Sequence, residues 1–147
     1  RAKKHNIKNL CLDHKDFEDR KSYDQKLKEI IKQESVDFII LAGFMRILGS
    51  DFVKNFPNKI INIHPALLPK YGGQGMFGLN VHQKVIDNKD FHSGFTIHYV
   101  NENYDEGNVI FQKKIEVKSF SAEELSKKVL AQEHKYYPTI INNLLNE

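Results

Sequence analysis

The chain has 147 residues, 40% hydrophobic and 28% charged, which is the make-up of one water-soluble domain long enough to bury a core. Its net charge of +3, its scattered Lys and Arg residues and its lack of a long apolar run argue against nucleic-acid binding and against a membrane span. One cysteine, Cys11, excludes an internal disulfide and a cysteine-based zinc framework; with no signal pattern at the start, a cytoplasmic location is expected.

The first 20 residues are polar apart from Leu10-Cys11-Leu12, which predicts a short strand. Ser22 followed by Gln25 has capping-box spacing, and Tyr23, Leu27, Ile30 and Ile31 recur at helical intervals, so a helix is predicted from Ser22. Residues 36–42 (VDFIILA) form a β-branched apolar run that predicts a strand buried on both faces of a parallel sheet, ended by Gly43. Ser50 caps a short predicted helix with Phe52 and Phe56 on one face. Residues 59–64 (KIINIH) are the next predicted strand, stopped by Pro65.

Glycines at 72, 73, 75 and 78 make residues 70–80 a loop, one that could close over a ligand. A helix over 81–88 follows. Residues 93–100 then alternate as a strand, with Thr96 and His98 on one face and Phe95, Ile97 and Tyr99 on the other. Residues 101–108 are a polar loop and 109–117 a further strand. Ser121 with Glu124 is a second capping box opening a long helix, which Pro138 is expected to kink or divide. Alternating helices and strands imply right-handed βαβ units and a parallel sheet, with an antiparallel edge from the later adjacent strands. The fold class is α/β: an open, Rossmann-like, mostly parallel sheet flanked by helices.

Three segments carry candidate chemistry. Asn62 and His64 are two apart on a strand, so both side chains point to one face, at the carboxyl end where open α/β sheets bind ligands. The amide could donate to a developing oxyanion and the imidazole could move a proton near neutral pH. The same residues could equally be a loop cap and a hydrogen-bonded structural histidine. Asp105, before Glu106-Gly107, could orient and charge a histidine, or could be part of a solvated turn. Residues 43–48 (GFMRIL) leave a strand end with apolar side chains and free backbone groups, suited to a flat heteroaromatic ligand or simply to core packing. No metal-ligand spacing links His92 to His98, and no phosphate-loop motif occurs.

Together the stretches VDFIILAGFMRIL (36–48), INIHPALLPKY (61–71), HSGFTIHYVNENYDEGNVIFQ (92–112) and QEHKYYP (132–138) resemble the phosphoribosylglycinamide formyltransferases of the folate-dependent formyltransferase family. The resemblance covers nearly the whole chain, more weakly before Ser22. It implies that Asn62, His64 and Asp105 are catalytic. It implies that Met45, Arg46, Ile47 and Leu48 hold the pterin part of 10-formyltetrahydrofolate, with Val100, Asn101, Glu102, Asn103 and Tyr104 on the other side of that ring. Glu133 matches an acidic residue that contacts glycinamide ribonucleotide, and Thr96 and His98 match a strand lining the site. No metal is implied, and a homodimer is admitted as an assembly.

Two departures stand out. The loop YGGQGMFGLNVH is longer than in many members of the family. The family's first βαβ unit, with its Gly/Ser/Asn phosphate-binding loop, has no match, so residues 1–147 are expected to be an N-terminally incomplete formyltransferase domain that turns over poorly by itself. The competing expectations are a formyltetrahydrofolate hydrolase, whose motif usually reads NIHHSFLP where this chain has NIHPALLP, and an inactive folate-binding module.

Overall fold

The structure, a computed structural model, describes residues 1–146 and divides the chain into two compact units, Arg1–Val36 and Asp37–Glu147. In the first unit residues 10–12 form no strand. Three apolar residues give no ladder without a partner, and Asp13 instead opens a 3-10 turn (His14–Asp16) by accepting from the Lys15 N–H at 3.0 Å. Helix α1 (Arg20–Glu34) starts ahead of Ser22, because Asp19 is the cap and Ser22 is its reciprocal partner. The Ser22 N–H reaches the Asp19 carboxylate at 2.7 Å and the Asp19 N–H reaches Ser22 Oγ at 3.3 Å. Tyr23, Leu27, Ile30 and Ile31 are all half-buried, as one apolar face requires.

The second unit contains β1 (Ile39–Leu41), α2 (Ser50–Lys54), β2 (Ile60–His64), α3 (Leu79–Asp87), β3 (His92–Tyr99), β4 (Val109–Glu116) and α4 (Ala122–Leu145). The four strands form one open sheet in the order β1-β2-β3-β4. Only β1–β2 is parallel; β2–β3 and β3–β4 are antiparallel. The sheet is therefore mixed, with less parallel pairing than expected. The α3 connection brings the chain back to the end where β2 finishes, so β3 runs back alongside β2. Strand β1 is half-buried, not buried on both faces, because among the described residues it is an edge strand paired only with β2.

Helices α3 and α4 pack on each other, and α4 lies on β3 and β4. The core joins Ile61, Phe95 and Ile97 from the sheet to Val85 of α3 and to Leu125, Val129 and Tyr137 of α4. Helix α4 begins at the expected box, with the Ser121 N–H on Glu124 Oε2 at 2.8 Å and the Glu124 N–H on Ser121 Oγ at 3.2 Å. It continues through Pro138 as one helix. Tyr136, Ile140, Ile141 and Leu144 pack against the core around the proline, and this apolar contact offsets the lost backbone bond.

Candidate active site

The residues that build the core alternate along β2 and β3 with those that do not. Ile61, Phe95 and Ile97 face α3 and α4; Asn62, His64, Thr96 and His98 take the intervening positions. Antiparallel register sets Asn62 opposite His98 and His64 opposite Thr96. The amide and an imidazole thus become cross-strand neighbours, and Asn62 Nδ2 lies 3.3 Å from His98 Nε2. The Tyr99 carbonyl, 2.9 Å from His98 Nδ1, can only accept, so it places the ring proton on Nδ1. In the neutral ring His98 Nε2 then accepts one Asn62 N–H, and the second N–H of that amide is left for the site; Nε2 points a proton at Asp105 only when the ring is protonated. A bulge between Ile97 and His98 marks this point in the β3–β4 ladder.

Asp105 arrives from the loop after β3. Its backbone has φ +54°, in the left-handed region, and its neighbours hold it there. The Asn103 N–H bonds Asn101 Oδ1 at 3.0 Å, and the Asn103 amide bonds Glu106 at 2.9 Å. Gly107 lies so close to the Tyr99 carbonyl that any Cβ there would collide with it. The carboxylate sits between two imidazoles: Oδ2 is 3.5 Å from His64 Nδ1, and Oδ1 is 3.6 Å from His98 Nε2. The Gly73 N–H also donates to Oδ2 at 2.9 Å. Burial pushes the Asp105 carboxyl up, but His98, the Gly73 N–H and the charge interaction with His64 outweigh it and hold it below the usual range.

His64 is only 5% exposed. Burial pushes its pKa down, while Asp105 and the Tyr71 carbonyl pull it up without winning. Its Nε2 donates to the Tyr71 carbonyl at 2.7 Å. In the neutral ring the Nδ1 lone pair therefore faces Asp105, and Nδ1 is the place where a proton is taken up. His64 is poised as a proton acceptor and not, in this arrangement, as a donor to an oxyanion. Nearby on α3, His82 is buried, with no partner at Nδ1, and burial and then His64 lower its pKa.

Asn62, His64, His98 and Asp105 line a cavity of about 450 Å³. It is bordered on one side by Met45, Arg46, Ile47 and Leu48, and on another by Val100, Asn101, Glu102, Asn103 and Tyr104, with Glu133 of α4 also present. Burial raises the Glu133 carboxyl to about 7. Every residue singled out in the sequence as catalytic, folate-binding or substrate-binding borders this one space. Thr96 does not. It is fully buried and pins the turn after β2, donating to the Ala66 carbonyl at 2.6 Å and accepting from the Leu68 N–H at 3.0 Å. Sequence reasoning gave His98 no role beyond its place, with Thr96, on a strand that the family resemblance sets along the site. The Gly-rich loop, read from the sequence as one that could close over a ligand, borders the cavity through Gln74, Met76 and Phe77. Among the described residues no cluster of His, Cys, Asp and Glu has metal-site geometry, and no helix is long and apolar enough to cross a membrane.

Residues 1–141 match the family described as formyl transferase. The chain is 41% identical over 123 residues to a chloroplastic phosphoribosylglycinamide formyltransferase of Arabidopsis thaliana, covering 83% of this chain and 42% of that protein. It is 37% identical over 143 residues to the phosphoribosylglycinamide formyltransferase of Escherichia coli (strain K12), covering 97% of this chain and 65% of that protein. A crystal structure of the phosphoribosylglycinamide formyltransferase from Bacillus halodurans superimposes with a TM-score of 0.88 at 32% identity, over 99% of this chain and 73% of that one. The chain thus spans less than half of the plant relatives and about two thirds of the bacterial ones.

Proposed function

This chain belongs to the formyl transferase family, and we propose that it carries the formyl-transfer site of a phosphoribosylglycinamide formyltransferase, acting in purine biosynthesis. The observation that carries this reading is the convergence of Asn62, His64 and Asp105 on one cavity. The cavity suits a flat, partly apolar co-substrate: its volume is within the usual range for such ligands, and Met45, 76% exposed, and Ile47 offer apolar surface at its edge. When bound, 10-formyltetrahydrofolate supplies the formyl group that the amine of glycinamide ribonucleotide receives.

The residues divide the work. The second N–H of Asn62, whose amide is held by His98, stabilises the oxygen of the carbonyl under attack. Asp105 receives the proton of the attacking amine, directly or through water, and passes it to Nδ1 of His64. The imidazolium so formed lies beside the developing oxyanion and stabilises it by its charge. It then returns the proton by the same route toward the departing nitrogen. Residues 45–48 and 100–104 hold the pterin from two sides, and Glu133, which changes charge near neutrality, offers a hydrogen bond to the ribonucleotide.

The test is formyl transfer by the intact enzyme with both substrates. His64→Ala and Asp105→Ala are expected to lower turnover about 100- to 1000-fold with folate binding retained. Near-normal turnover in either variant would remove the assignment. Formate release that needs no amine would point to hydrolysis instead.

A further inference from the structure

The stem of the Gly-rich loop touches both partners of the candidate proton relay through its main chain. The Tyr71 carbonyl accepts from His64 Nε2 at 2.7 Å, and the Gly73 N–H donates to Asp105 Oδ2 at 2.9 Å. Gly72 between them passes so close to the Asp105 Cβ and the Leu68 side chain that a Cβ there would force both to shift. This short stretch of backbone therefore sets where the imidazole and the carboxylate stand relative to each other. It is not relaxed. Tyr71 has φ +58°, a conformation that persists in a bulky residue only where its surroundings impose it.

Those surroundings lie behind the site, at the turn joining α3 to β3. The Tyr71 hydroxyl donates to Asp90 Oδ2 at 2.7 Å and accepts from Asn88 Nδ2 at 2.7 Å. Lys70 Nζ reaches both oxygens of Asp90 at 2.6 Å and lies 5.1 Å over the Tyr71 ring. The hydrogen bonds from Lys70 and then Tyr71 hold the Asp90 carboxyl below its usual range, so the acceptor is charged through neutral pH. The turn is itself tied to the end of α3, with the Asn88 N–H on the Lys84 carbonyl and the Asp90 N–H on the Val85 carbonyl, each at 3.1 Å.

We propose that Tyr71 is a positioning residue: its phenol, clamped by Asp90 and Asn88, fixes the loop main chain that holds His64 and Asp105 in register. The consequence for rate rests on the formyl-transfer reading; the clamp itself does not. The test compares the intact wild-type enzyme with its Tyr71→Phe, Asp90→Ala and Asp90→Asn variants. The readouts are hydrogen exchange at the Gly73 amide and the kinetics of formyl transfer. Tyr71→Phe and Asp90→Ala are expected to speed Gly73 exchange about tenfold, the worth of one hydrogen bond, while core amides of β3 and α4 stay as protected as before. The kcat should fall about tenfold with KM for the formyl-folate changed less than about twofold, and Asp90→Asn, which keeps an acceptor, should restore most of both. Unchanged Gly73 exchange in Tyr71→Phe would overturn the proposal. So would exchange that rises equally across β3 and α4, because the role would then be general stability. Absence of formyl transfer in the intact wild-type enzyme would defeat the functional reading alone, and Gly73 exchange would still decide the clamp.

Discussion

Glu133 owes its chemistry to burial alone. Its carboxyl has been moved from the ordinary range up to about 7, where the residue can change charge near neutrality. The folded state therefore holds a proton that the unfolded chain has already released above about 4.5. The stability that goes with it is full below that pH and is lost as the pH rises through about 7. Urea denaturation at pH 5 and pH 8 should show the wild type losing on the order of 2 kcal/mol more than Glu133→Gln across that interval. Equal losses would mean that the carboxyl titrates normally. His64 and Asp105 work in the other direction. Both have folded pKa values below their ordinary ones, so each contributes stability that is present at higher pH and disappears on acidification. The groups around this cavity thus oppose each other in their pH dependence.

Helix α4 reaches the sheet edge through the Tyr137 hydroxyl. The Tyr137 hydroxyl shares its proton between the Leu41 carbonyl at 2.9 Å and the Ile61 carbonyl at 3.2 Å, tying α4 to β1 and β2 together. Burial and the nearby Glu133 raise the phenol well above its usual pKa, so it remains a donor under all ordinary conditions. Tyr137→Phe keeps the packing and removes the donor. It should cost about 1–2 kcal/mol in chemical denaturation, because the two carbonyls lose a partner in a buried place. A change too small to measure would mean that water replaces the hydroxyl at no cost. The same anchorage explains why Pro138, the next residue, does not end the helix.

Within the unit Asp37–Glu147, one sheet separates two kinds of chemistry. Positions 61, 95 and 97 bury apolar side chains under α3 and α4, while positions 62, 64 and 98 carry polar groups to the cavity. The core is what holds the strands in register, and register is what sets Asn62 opposite His98. Phe95 is fully buried, with ring centroids 6.1 Å from both Phe111 and Tyr136. Phe95→Ala should cost about 3–5 kcal/mol, which is much of the stability of a typical domain. Calorimetry should show a melting temperature many degrees lower, and a variant that melts like the wild type would mean that this core is not what the sheet depends on.

Elements and candidate chemistry were legible in the sequence because both are local. Apolar residues at period 3.6 or 2, the Ser121 box, and an amide two residues from an imidazole at a strand tip need no knowledge of distant neighbours. The α/β class followed from them, as did the Asn62–His64 pair, Asp105 and residues 43–48 as candidates, and resemblance to a known family gave these their roles and added the second wall, residues 100–104. Tertiary structure alone decided the direction of β3, the nitrogen on which His64 can take a proton, the partnership of His98 with Asn62, and the bond from Gly73 to Asp105 across 32 positions of chain. These depend on through-space separations of a few ångströms between segments far apart in sequence, and on the loss of water around them. Neither quantity is written in the spacing of residues along the chain.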